Sequence, residues 1–383
     1  MTYYPPHRDP WAPPTPPPPR RRGFGAMLGV LGLAVLLAVG FVGWDLGADG
    51  GGSGSLFGRS WQGTPAGERT LDVDAVADEV VPGLVDVYAT LGYSGKRAAG
   101  TGMVLTPDGD VLTNNHVVAG ATSISVTDVD TGRTYRADVA GYSRSSDVAV
   151  LRLRDAAGLG TVTTGDSSTV RVGDPVVALG NAGGDGGAPS VSPGTVTALD
   201  QSITATDEST GSSEELTGLI QVSADIRSGD SGGALADADG AVIGMNTAAS
   251  TGYQLGRGGE RSGVSGFAIP IDDALALARR ITAGTASAEV HIGPSAFLGV
   301  SVSDAGTAGA RVQQVVPGGP ADGAGVRAGD VLTGLGDRPV GSASDLTDAM
   351  DAQHPGDRVT VTWLDASGQQ HRATVTLVEG PVG

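Results

Sequence analysis

Between Leu84 and Ile269 the chain repeats one pattern a dozen times: a short run rich in Val, Ile, Leu and Ala, then a turn signal. The runs are Leu84–Thr90, Gly102–Thr106, Val111–Asn114, Ser123–Asp128, Tyr135–Tyr142 and Val148–Leu153, then Pro175–Leu179, Gly194–Leu199, Gly218–Val222, Ala234–Ala236, Val242–Thr247 and Gly266–Ile269. Breaks such as Pro107-Asp108-Gly109 and Asp130-Thr131-Gly132 separate them. Many short strands without intervening long helices exclude a βαβ architecture and predict a sandwich or a pair of barrels. Asp72 to Val80 reads as a short helix ended by Pro82, and Asp272 to Gly284 as a helix closing the region. With aromatics at only 4% of residues, several small β-rich cores fit better than one large core. The chain has no cysteine, which removes disulfides, thiolate zinc sites, Fe–S clusters and a Cys nucleophile together.

The N-terminal part has a different texture. Residues 1–23 are proline-crowded, extended and coreless, with Arg8, Arg20, Arg21 and Arg22 against Asp9. Phe24 to Trp44 then runs 21 residues without a charge. As a helix it would span ~31 Å, close to the ~30 Å of a bilayer core. Such a run lacks the polar face of a core helix and is longer than the usual apolar run of a signal peptide, so it reads as a retained transmembrane helix at 24–44; the competing reading is a signal peptide cleaved after Ala38-Val39-Gly40. The arginines before it and Asp45 and Asp49 after it place the tail in the cytoplasm and the remainder outside, by the positive-inside rule. Residues 45–69, with Gly50-Gly51-Gly52-Ser53-Gly54-Ser55, read as a flexible tether. The net charge of −18 would repel phosphate and excludes nucleic acid as the main partner.

Three strings in the β-rich region carry chemistry: Thr113-Asn114-Asn115-His116-Val117-Val118, Ser146-Asp147-Val148-Ala149-Val150-Leu151 and Gly229-Asp230-Ser231-Gly232-Gly233-Ala234. A serine hydroxyl needs a base to take its proton, and a carboxylate must hold that base in the right tautomer. The glycines around Ser231 allow a tight loop whose backbone N–H groups converge on one point, as an oxyanion hole requires. Of the five histidines, His7 belongs to the tail, and His291, His354 and His371 fall in or beside a C-terminal module. His116 is therefore the one histidine available as a general base in this region. The scattered histidines and absent thiolates give no metal site, and no cofactor is expected.

In the order His…Asp…Ser, separated by 31 and 84 residues, these strings resemble the chymotrypsin-fold serine proteases. Their wording is closest to the HtrA (DegP/DegS) family, over about residues 75–380. The resemblance implies a mainly β protein, with a double six-stranded β-barrel protease domain at 70–285 and a PDZ domain at 286–383. It implies His116 as base, Asp147 as its orienting carboxylate and Ser231 as nucleophile. The oxyanion hole would come from Gly229, Asp230 and Ser231, chiefly the amides of Gly229 and Ser231. Homotrimers are the habit of that family, although this N-terminus departs from it.

Two positions depart from the family pattern. Asp230 stands where the family usually has Asn. In digestive-type enzymes an Asp there pairs with a new N-terminal amine, whereas here a solvated turn carboxylate, or one paired elsewhere, is expected. Asp225 lies six residues before Ser231, where trypsin-like enzymes carry the acid of the S1 pocket. A carboxylate there would favour Arg or Lys at P1; the competing reading is an ion pair with Arg227 or a solvated acid. Residues 250–266 hold six glycines and two arginines and carry no motif.

In the C-terminal module, Ala296-Phe297-Leu298-Gly299-Val300, Pro317-Gly318-Gly319-Pro320-Ala321 and Ala328-Gly329-Asp330-Val331-Leu332 follow in order. They resemble a circularly permuted bacterial PDZ domain. The Phe297, Leu298, Gly299 and Val300 backbone would hold a peptide's C-terminal carboxylate, with Leu346 and Met350 on a groove helix at Ser344–Gln353. The whole then reads as a bacterial, single-pass, membrane-anchored, ATP-independent endopeptidase. Its substrates would be unfolded or mislocalised exported proteins, captured or sensed through their C-terminal segments. The alternative is a non-enzymatic peptide-binding adaptor or holdase on an inactive protease fold.

Overall fold

The computed structural model describes residues 71–93, 95–206, 213–247, 254–255, 266–306 and 309–383. The expected tail, transmembrane helix and tether (1–23, 24–44 and 45–69) lie outside the described residues, as does most of 250–266. Among the described residues no helix is long and apolar enough to cross a membrane.

After helix α1 (Val73–Val80), six strands follow: β1 (Leu84–Leu91), β2 (Lys96–Val104), β3 (Asp110–Thr113), β4 (Ser123–Asp128), β5 (Thr134–Ser143) and β6 (Val148–Leu153). They run antiparallel in the order β5-β4-β1-β2-β3-β6, and a β5–β6 pairing closes the ring. A one-turn helix α2 (Asn115–Val118) sits between β3 and β4. The second set is β7 (Pro175–Gly180), β8 (Ser190–Thr206), β9 (Ser213–Val222), β10 (Ala234–Ala236), β11 (Val242–Thr247), β12 (Gln254–Leu255) and β13 (Gly266–Pro270). Its order is β12-β8-β7-β10-β11-β13-β9, closed by β8–β9. Each ring has six strands, with β12 appended to the second, so closure removes the exposed edges that open sheets must protect.

Period-2 alternation explains why the strands read as almost continuous apolar runs. Val176 and Ala178 point into the second barrel with Val196, Ile220 and Ile243. Val177 and Leu179 point the other way, into a core shared between the barrels with Leu84, Met103, Leu112, Val150 and Phe267. Val85, Val87, Val111, Val126 and Leu151 fill the first barrel. Each such side chain contributes ~1.5–3 kcal/mol by leaving water. Helix α3 (Ile271–Thr282) adds Ile271, Ala274, Leu277, Ala278 and Ile281 to the shared core. The i, i+3, i+4, i+7 spacing of these residues supplies the apolar stripe.

Strand β14 (His291–Ile292) pairs with Tyr142 and Gly141 of β5. His291 therefore joins the first barrel rather than the C-terminal module, because its short strand completes the edge of β5. The module itself has β15 (Ala296–Phe297), β16 (Val300–Asp304), β17 (Ala310–Val315), helix α4 (Pro320–Ala324), β18 (Val331–Leu335), β19 (Arg338–Pro339), helix α5 (Ala343–Asp351), β20 (Arg358–Leu364), β21 (Gln370–Thr376) and β22 (Val378–Glu379). The order β16-β17-β18-β20-β21 leaves β16 at an edge, and β15 pairs with β22. Asp351 of α5 accepts from the Tyr142 hydroxyl at 3.0 Å and from Arg144 at 3.2 Å, tying the module to β5 and the turn after it.

Candidate active site

The site lies where the barrels meet. Helix α2 carries His116 on the rim of the first barrel, its side chain 44% exposed, whereas that of Asp147 is 6% exposed. His116 Nδ1 lies 2.8 Å and 3.0 Å from the two Asp147 carboxylate oxygens, and the His116 backbone N–H donates to Oδ1 at 3.0 Å. With Nδ1–H donated to the carboxylate, Nε2 is the nitrogen that can take a proton. Asp147 has a left-handed backbone, φ 51°, which a short polar side chain tolerates. Asn114 Nδ2 donates to its carbonyl at 2.9 Å, and the Thr247 hydroxyl of β11 donates to its Oδ2 at 3.2 Å. Both barrels thus hold this carboxylate.

Ser231 sits on the turn entering β10. Its carbonyl accepts the Thr101 N–H of β2 at 2.8 Å. The next residue, Gly232, has φ 83°, and a Cβ there would overlap the Thr101 carbonyl and the Thr113 hydroxyl. Only glycine lets the serine turn lie this close to the strand leading into α2, which brings the Ser231 and His116 segments together. Asn246 clamps the same turn. Its carbonyl accepts Gly232 N–H and its N–H donates to the Gly233 carbonyl, both at 2.8 Å. Its side-chain amide bridges the Leu179 and Ala234 carbonyls.

Gly229 has φ 98°, and a Cβ there would overlap the Asn181 carbonyl. Its carbonyl is turned away and accepts the Thr101 hydroxyl at 2.8 Å. The Asp230 amide is committed to the Arg227 carbonyl at 3.0 Å, so this residue does not contribute an oxyanion-hole donor as the sequence suggested. Nor is its carboxylate solvated. Asp230 is buried, with Oδ1 2.5 Å from the Ser190 hydroxyl and Oδ2 accepting the Arg227 N–H at 2.8 Å. Burial raises its pKa above the usual carboxylate value, and the Ser190 hydrogen bond opposes that shift.

Asp225 forms an ion pair with Arg227, whose Nε lies 2.8 Å from Oδ2 and whose Nη2 contacts the same oxygen. The neighbouring Ile226 is buried and fills the space beside Gly266 where a side chain would stand. In the C-terminal module Leu298 is buried, and its carbonyl accepts Ala321 N–H at 2.9 Å. Gly299 has φ 85°, and Val300 opens the edge strand β16. Leu346 is sunk in the module's core, with Met350 partly buried beside it. Phe297 packs on Tyr93 of the first barrel, ring centroids 5.1 Å apart. Among the described residues no cluster of carboxylates and histidines could hold a metal ion.

Sequence reasoning missed Thr247, Asn246 and Ser190. Each lies far along the chain from the group it serves, and no local signal marks it. Asn114 stood inside a motif string, but its role as a bond to the Asp147 carbonyl depends on the turn geometry.

Two closed six-stranded barrels with a His–Asp pair and a glycine-framed serine at their junction define a trypsin-like serine peptidase, here followed by a PDZ domain. The trypsin-like peptidase domain model matches residues 100–245 and the PDZ domain model residues 296–375. Serine protease PepD of Mycobacterium tuberculosis is 36% identical over 95% of this chain and 80% of its own length. The periplasmic pH-dependent serine endoprotease DegQ of Escherichia coli is 35% identical over 73% of this chain and 59% of its own. Periplasmic serine endoprotease DegP of Escherichia coli is 33% identical over 73% and 57%. The chain thus spans somewhat under three fifths of these last two relatives. Among solved structures, the HtrA-type protease AlgW with tripeptide matches over 81% of this chain and 97% of its own, at 29% identity and a TM-score of 0.46. The chain belongs to the HtrA family of PDZ-containing serine proteases and is a serine endopeptidase.

Proposed function

We propose that His116, Asp147 and Ser231 form the catalytic triad of a membrane-anchored, ATP-independent endopeptidase acting on unfolded or mislocalised extracytoplasmic proteins. The observation that carries the triad is the 2.8 Å bond between His116 Nδ1 and Asp147, beside the turn that holds Ser231. In this reading His116 Nε2 takes the Ser231 hydroxyl proton as Oγ attacks the peptide carbonyl, then returns it to the leaving amine. The Gly229 and Ser231 amides receive the oxyanion, each donor contributing on the order of 10²–10³ in rate. Residues 24–44 anchor the chain with the protease outside, in keeping with their uncharged length and the arginines before them. The free edge of β16 takes the C-terminal segment of a polypeptide as an added strand.

At P1 the enzyme prefers small aliphatic residues, because Asp225 is already paired with Arg227 and Ile226 fills the space beside Gly266. A P1-varied peptide panel tests this; preference for Arg over Val or Ala would overturn it.

The deciding experiment is labelling of the full chain by a fluorophosphonate probe, with Ser231→Ala as the silent control. Labelling at Ser231 together with casein cleavage supports the endopeptidase. No labelling, with or without added C-terminal peptides, would leave a peptide-binding adaptor or holdase.

A further inference from the structure

The residue before the nucleophile carries a buried carboxylate with no ammonium group against it among the described residues. A buried charge without compensation is costly, so what satisfies it decides whether the turn holds its shape. Two donors reach it: the Arg227 N–H closes the turn from within, and the Ser190 hydroxyl arrives from the start of β8. The Ser190 hydroxyl has one proton and two acceptors in range, Asp230 Oδ1 at 2.5 Å and the Gly180 carbonyl at 3.0 Å. The shorter contact is the length of a charge-assisted O–H···O⁻ bond. The same turn sets the φ of Gly229, and its other contacts (Gly183 N–H to the Ser228 carbonyl, Thr101 hydroxyl to the Gly229 carbonyl) come from β7–β8 and β2.

We infer that Ser190 is a positioning residue for catalysis: its hydroxyl holds the Asp230 carboxylate and thereby keeps the 227–231 turn in the shape that presents the Gly229 and Ser231 amides. It takes the place of the N-terminal amine that an Asp at this position meets in digestive-type proteases. The inference rests on Ser231 being the nucleophile.

The charged groups facing Asp230 are Arg227 and Asp225 on its own turn, and they act in opposite directions. β8 contributes the Ser190 hydroxyl, and Gly180 at the end of β7 packs against the carboxylate without a charge. Removing Ser190 takes away a hydrogen bond that favours the charged carboxylate, so the Asp230 ionisation moves further up. An amide at 230 needs no charge partner. Its Oδ1 accepts the Arg227 N–H and its Nδ2 donates to Ser190, which frees the hydroxyl proton for the Gly180 carbonyl.

The test measures fluorophosphonate labelling rates from pH 5 to 9, with kcat and KM on a peptide. The proteins are the full chain and its Ser190→Ala, Ser190→Thr, Asp230→Asn and Ser190→Ala/Asp230→Asn variants. Ser190→Ala is expected to label about tenfold more slowly, with KM within about twofold, and to show an ionisation in its pH profile that lies higher than in wild type. Ser190→Thr, which keeps the hydroxyl, restores the rate. Asp230→Asn lacks that ionisation, and removing Ser190 from Asp230→Asn costs less labelling rate than removing it from wild type, because the carboxylate it holds is gone. Wild-type labelling by Ser190→Ala overturns the inference. So does a loss of about a hundredfold in Asp230→Asn with Ser190→Ala unaffected, which would instead indicate a cationic partner such as a newly cut N-terminus. An unlabelled wild type removes the Ser231 assignment itself.

Discussion

At the scale of single residues, the site is built from groups whose partners are distant in sequence. Ser231→Ala is expected to lower kcat by roughly 10⁶, measured by single-turnover cleavage. A residual rate near the parent's would exclude Ser231 as nucleophile. Thr247 donates to the Asp147 oxygen nearest the His116 ring nitrogen. Thr247→Val keeps the shape and removes that hydrogen bond. It should reduce kcat about tenfold with KM unchanged, because the lost bond stabilises the ion pair that forms only during proton transfer. The motif strings made the proposed triad of His116, Asp147 and Ser231 legible as candidates, since each lies in a distinctive local word. Asp230 was legible as a departure, but its state was not. Whether a turn carboxylate is solvated depends on what packs over it, and Ser190 comes from another strand.

At the scale of elements, β1 contains a buried acid. Asp86 is buried on the face of β1 opposite Val85 and Val87 and faces the 181–187 loop, where a Cβ on Gly186 would stand 3.3 Å from its carboxylate. Burial pushes its pKa up to about 6. The native state therefore binds a proton that the unfolded chain has released between its ordinary value near 3.8 and about 6, so stability falls as pH rises through that window. Asp86→Asn should raise the urea midpoint at pH 7 by the equivalent of about 1 kcal/mol, with no gain below about pH 4. An equal gain at both pH values would assign the effect to packing instead. Helix α3 supplies the other test at this scale. Ile281→Ala empties a fully buried position in the core shared by the barrels and should cost about 2–5 kcal/mol by chemical denaturation. Strand number was readable from the turn signals, whereas strand ends were not. β8 begins at Ser190, ahead of the apolar run at Gly194, because pairing with β7 extends it through polar residues. Those first residues carry Ser190.

At the scale of the whole molecule, the contacts that fasten the PDZ domain to the first barrel include two sets of hydrogen bonds beside the packing of Phe297 on Tyr93. Asp351 receives Tyr142 and Arg144, and the Val382 segment pairs with Gly120 and Ala121 just after α2. Asp351→Ala should loosen the module and speed proteolytic cutting between residues 284 and 295, while Ser231 labelling changes little. Unchanged cutting would show that the Val382 pairing and the contact of Phe297 with Tyr93 hold the two together without Asp351. Sequence by itself determined the barrel strands, the three motif strings and the order of domains, because turn chemistry, period-2 burial and a catalytic word are local properties. Tertiary structure alone decided that both barrels grip Asp147, that His291 completes β5, that Asp225 meets Arg227 instead of standing free, and that Asp230 is buried against Ser190. Those outcomes depend on which distant strands become neighbours. Only barrel closure sets that, by bringing together backbone and side-chain groups many residues apart and excluding water from between them.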